Sequence, residues 1–306
     1  MPLRGGLGAS RVVLPSFAKG RAPAACLLDF MAQRFASVSR ADWTQRFAAG
    51  DVLLANGSPA SADSPLHSGQ TLYYYRTVAE EKPIPFAAHV LWQDEHLVVA
   101  DKPHFLPVVP SGQYLRETLL VRLKEQLQLP HLSPLHRIDR DTAGVVVFGV
   151  RAQDRGAYQQ LFRQRSVDKV YECIAPYRAA LAPALAQGLE RSSRIEPSPA
   201  HFMQQCEVDA PPHQHNAHTT IRLLAHQGQW AHYQLHPRTG QRHQLRVHMA
   251  ALGLPIRYDG IYPTLTPEGS SNYAEPLQLL ASSIAFADPI TGQHRFFASQ
   301  RSLLAL

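Results

Sequence analysis

The sequence predicts an α+β protein, and three observations carry that prediction. Short helical patches are followed by short strands in the first quarter of the chain. The β-branched run Val145-Val146-Val147-Phe148 reads as a buried strand. Thr219–Leu224 and Trp230–Leu235 alternate around Gln227-Gly228-Gln229 and read as a hairpin, while amphipathic stretches at helical period lie between the strand patterns. A chain of 306 residues with 45% hydrophobic and 18% charged content has ample sequence for a buried core, in one large domain or two smaller ones.

Taken in order, residues 1–23 read as a mostly irregular lead-in. Leu27, Leu28, Phe30, Met31 and Phe35 have helical spacing, and a second helix is expected over Arg40–Ala48. Gly50 breaks that pattern. Strands follow at Val52–Leu54 and Thr71–Tyr75, with turn signals at Asn56-Gly57 and Ser68-Gly69. Residues 24–80 therefore form one small α+β unit, and Glu80-Glu81-Lys82-Pro83-Ile84-Pro85 is a linker. A larger domain over 86–306 opens with a strand, His96–Ala100, ended by Asp101-Lys102-Pro103. Helices are expected over Glu117–Leu127 and Gln153–Arg163, the latter with Tyr158, Leu161 and Phe162 on one face. A strand returns at Val167–Ile174. Residues 176–215 lack pattern and read as loops and insertions. A last helix starts at Gln241, with Leu245, Met249 and Leu252 as its buried stripe and Gly253 as its terminator. No internal repeat or low-complexity segment is present.

Composition narrows the function. Thirty Lys and Arg against 24 Asp and Glu give a net charge of +6, a balance that favours a polyanionic partner. Cys26, Cys173 and Cys206 are odd in number and lack C-x-x-C spacing, which suits a reducing compartment. No apolar stretch approaches the ~20 residues needed to span a bilayer. Arg4, Arg11, Lys19 and Arg21 are scattered with no apolar core among them, which argues against a secretory signal, so the expected location is the cytoplasm. Neither a Walker A loop nor a dinucleotide fingerprint occurs. His213-x-His215-x-x-His218 has the look of a zinc site, but its segment is Pro-flanked and has no carboxylate or Cys to complete a shell, so no metal is expected.

The chemistry concentrates in His136-Arg137-Ile138-Asp139-Arg140-Asp141-Thr142-Ala143-Gly144. This charged cluster directly precedes the Val145–Phe148 strand, which places it at a strand's mouth. Positive charge beside a carboxylate favours the anion, which suits a nucleophile better than a general acid. A solvated surface salt-bridge cluster is the competing reading, and local sequence does not choose between Asp139 and Asp141. Lys169 and Tyr171 are two apart on a predicted strand and face the same way. A cation beside a ring can hold phosphate and stack a base, although the same pair serves as an ordinary surface pair. His243 and Arg246, three apart on the last helix, can point together into a cleft or stand as solvated helix charges.

His136-Arg137-Ile138-Asp139-Arg140-Asp141-Thr142-Ala143-Gly144 resembles the active-site motif of the RluA-type pseudouridine synthases, H-R-L-D-x-x-T-S-G, departing from it at Ile138 and Ala143. Three further stretches resemble family motifs in the family's order: Leu91 to Pro103, Phe162-x-x-Arg165-x-Val167-x-Lys169-x-Tyr171, and Leu235 to His248. Later signatures match at Pro255-Ile256-x-x-Asp259-x-x-Tyr262-Pro263 and Leu277-x-Leu279-Leu280-Ala281. Gln241 stands where the family commonly has Arg, and Tyr258 where a small residue is often seen. Ser39-Arg40-x-x-Trp43-x-x-Arg46 with Gly50-x-Val52 and Asn56-Gly57 resembles an S4-like RNA-binding domain.

The resemblance implies a mixed, mostly antiparallel sheet with a cleft across its middle. It also implies isomerisation of uridine to pseudouridine in ribosomal or transfer RNA, with no cofactor, by a monomer. Asp139 would be the nucleophile, Arg246 its partner and Tyr171 the ring stacked on the uracil. Arg137 would fill the space left by a flipped nucleotide. His136, Lys169, His243 and Leu245 would line the uridine site, and Arg40 and Arg46 would serve RNA binding from the S4-like domain. Asp259 is expected as a structural position near the cleft or a plain turn residue. Two other classes stay open: a non-catalytic RNA-binding or ribosome-assembly factor, and a hydrolase of N-glycosidic bonds.

Overall fold

The structure is a computed structural model of the full chain that describes residues 1, 7–18, 21–36, 38–76, 81–266 and 272–306. Arg4, Lys19 and the Glu80 end of the expected linker lie outside the described residues. The chain divides into two compact units, Met1–Glu81 with Gly112–Arg116, and Lys82–Ser111 with Glu117–Leu306.

The first unit holds β1 (Ser10–Val13), α1 (Leu27–Arg34), α2 (Arg40–Ala48), β2 (Val52–Leu54) and β3 (Thr71–Tyr74). The strands form an antiparallel sheet in the order β1-β3-β2. Ser39 caps α2, its hydroxyl accepting from the Asp42 N–H at 3.1 Å. Leu27, Met31, Trp43, Val52 and Leu72 are fully buried at the centre of this unit. The lead-in expected to be irregular contains a strand: Ser10–Val13 pairs with Thr71–Tyr74. The alternation in Ser10-Arg11-Val12-Val13 is too short to stand out without its partner.

The second unit contains β4 (His89–Gln93), β5 (Leu97–Lys102), α3 (Leu119–Leu127), β6 (Ser133–Pro134), β7 (Ala143–Gly149), α4 (Arg155–Arg163), β8 (Asp168–Pro176), α5 (Ala182–Gln187), β9 (Leu189–Pro197), β10 (Gln205–Val208), β11 (Ala217–Gln227), β12 (Trp230–Pro237), α6 (Gln244–Ala251), β13 (Leu279–Ala287) and β14 (His294–Ala298). Its sheet runs β10-β9-β11-β12-β8-β13-β7-β5-β4, with β14 on β13 and β6 on β7. The β13–β7 pairing is parallel and the other registers are antiparallel, so the sheet is mixed and mostly antiparallel. Every residue of β7 is buried, as expected of an apolar run hemmed by strands on both sides. α6 packs Leu245 and Met249 against Cys173, Tyr233, Leu235 and Leu279 of the sheet. Tyr158 and Phe162 of α4 pack with Val145, Val147 and Ile284.

Two expectations change in this unit as well. Residues 176–215, expected as loops, contain α5, β9 and β10; β9 bridges β10 and β11 and alternates in burial only weakly along Leu189–Pro197. The last helix starts at Gln244, not Gln241, because His243 takes a left-handed conformation (φ 55°) that no α-helix continues. Gly253, with φ 69°, ends it as expected.

Candidate active site

Asp139 lies in the turn that leads into β7, where the Thr142 N–H donates to the Asp139 carbonyl at 3.2 Å. The end of β5 and the residues just after it clamp this turn. The fully buried Lys102 ammonium reaches the carbonyls of Pro103, Leu106 and Arg140, each at 2.8 Å, and His104 Nδ1 meets the Asp141 carbonyl at 2.7 Å. Burial pulls the Lys102 pKa down to about 7, against the charges of Asp141 and Asp139. The three carbonyls occupy the three donors that only its charged form has. The two carboxylates of the motif part company here. Asp139 lines a cleft of about 400 Å³, whereas Asp141 pairs with its neighbour Arg140, Nε to Oδ1 at 2.9 Å.

Opposite Asp139, α6 delivers Arg246, whose side chain is 2% exposed. Its Nη1 stands 3.4 Å from Asp139 Oδ2, but its planar fork is not spent on Asp139. Nε and Nη2 grip Asp259 at 2.8 and 2.6 Å, so the expected two-point pairing belongs to Asp259 and Asp139 receives the remaining arm. Asp259 is in turn fixed by the N–H groups of Ile261 and Tyr262 at 2.8 and 3.0 Å. Burial works against the charge of Arg246, but the hydrogen bonds and charge of Asp259, with the charge of Asp139, outweigh it and raise its pKa. A guanidinium held on a buried carboxylate keeps its position whether or not Asp139 is engaged.

His243 completes this wall. Its Nε2 lies 3.9 Å from Asp139 Oδ1 and its Nδ1 lies 3.0 Å from the Tyr262 hydroxyl. The Tyr262 oxygen accepts from the Gln205 N–H at 2.7 Å, which favours the tautomer in which its proton goes to His243 Nδ1 and Nε2–H faces Asp139. Burial lowers the His243 pKa to about 4, more than the charge of Asp139 restores. The ring is therefore neutral at pH 7.

β8 supplies the remaining wall. Lys169 and Tyr171 both line the cleft, while the intervening Val170 and the following Glu172 border a second cavity, as strand alternation requires. Burial and the charge of Asp139 push the Tyr171 phenol well above its ordinary value, so it holds its proton. Burial lowers the pKa of Lys169. His136 lines the same cleft but is anchored: it accepts the Val147 N–H at 3.1 Å and stacks on Phe162 with ring centroids 5.0 Å apart. Burial, aided by Lys169, takes its pKa down to about 3. Arg137 is exposed at the cleft and Leu245 is buried in its lining.

Eight residues named from sequence thus meet around one cleft: His136, Arg137, Asp139, Lys169, Tyr171, His243, Leu245 and Arg246. Arg40 and Arg46 belong to the first unit, where Arg40 pairs with Asp29 and Arg46 lies 4.8 Å over the Trp43 ring. Sequence reading assigned no role to Lys102 or His104 and undervalued Asp259 and Tyr262. The signal for Lys102 was a lysine ending an apolar strand. The remaining partners depend on chain crossings that no local pattern carries. His215 and His218 turn to separate partners, the Ala210 carbonyl at 3.1 Å and the Ser192 hydroxyl at 2.9 Å.

Comparison with known proteins points the same way. The family profile described as RNA pseudouridylate synthase matches residues 96–251. An uncharacterized RNA pseudouridine synthase of Synechocystis is 32% identical over 237 residues, covering 77% of this chain and 79% of that protein. The ribosomal large subunit pseudouridine synthase D of Xanthomonas campestris is 28% identical over 299 residues, 92% of this chain and 86% of its own. In fold, the human RNA pseudouridylate synthase domain containing 1 protein aligns with a TM-score of 0.57 at 18% identity, over 72% of this chain and 86% of that one. With the matched segment spanning the Asp139 turn, β8 and α6, the chain belongs to the RNA pseudouridylate synthase family.

Proposed function

We propose that Asp139 is the nucleophile of a cofactor-independent isomerisation of uridine to pseudouridine in ribosomal or transfer RNA. The observation that carries this reading is one carboxylate open to the cleft, 3.4 Å from a buried arginine that is itself locked to a second carboxylate. The C1′–N1 bond breaks, the uracil turns, and C1′ bonds to C5. The C5 proton leaves to solvent and N1 takes one up, so atoms balance. Attack at C1′, assistance to a glycal and addition to the uracil ring all begin from this carboxylate. Tyr171 forms a wall against which the freed uracil is held, and its raised pKa suits a donor or stacking ring over a base. Lys169 faces the same space and suits a phosphate. Arg137, exposed beside Asp139, suits the space vacated when the nucleotide flips from its stack.

The name of the Xanthomonas relative supports ribosomal RNA as the substrate class, with transfer RNA the alternative. We further read residues 24–80 as an S4-like RNA-binding domain presenting Arg40 and Arg46 from α2, and 86–306 as the catalytic domain of a monomeric, cytoplasmic protein. The free cysteines support the compartment. Among the described residues no helix is long and apolar enough to cross a membrane.

Release of tritium from C5-labelled uridine in unmodified ribosomal and transfer RNA tests the reaction, since forming the new carbon–carbon bond expels that hydrogen. Release with pseudouridine retained in the chain is expected. Free uracil would mark a hydrolase, and binding without release a non-catalytic factor.

A further inference from the structure

Loop 198–204 joins β9 to β10 and carries the most exposed large apolar side chain among the described residues, Phe202, 76% exposed. A single exposed phenylalanine is ordinary, but this one sits on a hydrogen-bonded loop and against a second ring. Ser198 N–H donates to the Gln204 carbonyl and Gln204 N–H to the His201 carbonyl, each at 3.0 Å. His201 Nδ1 accepts the Met203 N–H at 3.2 Å, which fixes its ring, and that ring stacks on Phe202 with centroids 4.8 Å apart and planes 29° apart.

The loop is also tied to the cleft. Arg242 spends its guanidinium on the carbonyls of Phe202 and Met203, at 3.4 and 3.2 Å, and its sequence neighbours Gln241 and His243 both line the cleft. Gln204 donates to the Ile261 carbonyl at 2.8 Å. The Gln205 N–H bonds the Tyr262 hydroxyl that holds His243 beside Asp139. Hydrogen bonds therefore link the loop that presents this aromatic pair to residues that line the cleft.

We propose that His201 and Phe202 form a stacking platform for an unpaired base next to the target uridine, an inference that rests on the RNA-modifying reading above. Flipping a uridine removes a stacking neighbour from the bases beside it, and an exposed π-face on the loop tied to the cleft replaces it. One paired ring is far too small for a protein interface, which needs about 1,000 Å². Arg165 and Arg238 line the adjoining cleft and attract the backbone that would bring a base there. Every base has a π-face, so the platform raises affinity without reading sequence.

The test compares the wild-type chain with Phe202→Ala, Phe202→Leu and Phe202→Tyr. Dissociation constants for unmodified transcripts of transfer RNA and large-subunit ribosomal RNA are measured beside tritium release on the same RNA. Ala and Leu should weaken binding and raise KM about 5- to 10-fold, kcat moving much less, and Tyr should recover wild-type affinity to within about twofold. Leu and Tyr both fill the side-chain space, so their contrast separates stacking from folding. Tritium release with equal affinities across the set, or a Leu variant that binds like Tyr, overturns the platform and leaves the reaction standing. Weakened binding without release from any RNA upholds base stacking on Phe202, but sinks the reaction and with it the place beside a target uridine. No RNA binding by the wild type sinks both.

Discussion

Arg246 shows how a buried charge acquires a task. Removing a guanidinium from water costs several kcal/mol unless its donors are met, and Asp259 meets two of them in the fork geometry only Arg offers. A donor on the remaining nitrogen, Nη1, points at Asp139. Arg246→Lys keeps the charge but cannot hold both carboxylates. Turnover should fall by about 100-fold or more, as small misplacements at a reacting centre do, and near-normal single-turnover tritium release would refute the role. Asp139→Asn should reduce release below detection while RNA affinity stays within a few fold. Loss of both together would make Asp139 structural.

At the scale of the element, Gly144 explains why the motif ends in glycine. It lies opposite Ala281 in the parallel pairing of β7 with β13 at φ 115°, and a Cβ there would sit 2.2 Å from the Ala281 carbonyl oxygen. Gly144→Ala should destabilise the protein by about 3 kcal/mol or more, read as a lowered melting temperature or loss of soluble protein. An unchanged melt would contradict the close approach. α6 is pinned through its polar residues. Gln244 donates to Thr219 at 2.9 Å, the Thr219 hydroxyl meets His248 Nδ1 at 2.9 Å, and His248 Nε2 meets Ser193 at 3.0 Å. A helix buried all round lacks the usual apolar and polar faces, and this chain of bonds fixes the rotation that aims Arg246.

Across the whole molecule burial lowers the pKa of several imidazoles, His136, His243 and His248 furthest. Burial lowers His136 to about 3 and His243 and His248 to about 4, against about 6.5 in an unfolded chain. Between those values and 6.5 the unfolded state binds protons that the folded state refuses. Stability is therefore complete above about pH 6.5 and declines as pH falls toward 4. Acidification from pH 7 to 5 should cost about 1 kcal/mol or more per imidazole, lowering the melting temperature by several degrees. A flat melting temperature over that range would contradict the burial of these rings.

Helices α1 to α4, strands β2, β3, β5, β7 and β8 and the β11–β12 hairpin were legible because hydrophobic period and turn residues are local signals. Motif resemblance added the residues of the cleft. β1 and β9 escaped notice because short or weakly alternating strands are decided by their partners. The same limit governed the site. Charge pattern alone placed a reactive carboxylate at a strand's mouth without separating Asp139 from Asp141. Motif resemblance chose Asp139, and in the structure the crossing of α6 over the β7 turn spends Arg246 on Asp259 and leaves one arm for Asp139, while Asp141 pairs with Arg140. That Arg246–Asp139 pairing spans 107 residues of chain, and a contact of that range is set by how the strands of the sheet pair, not by the amino acids beside it.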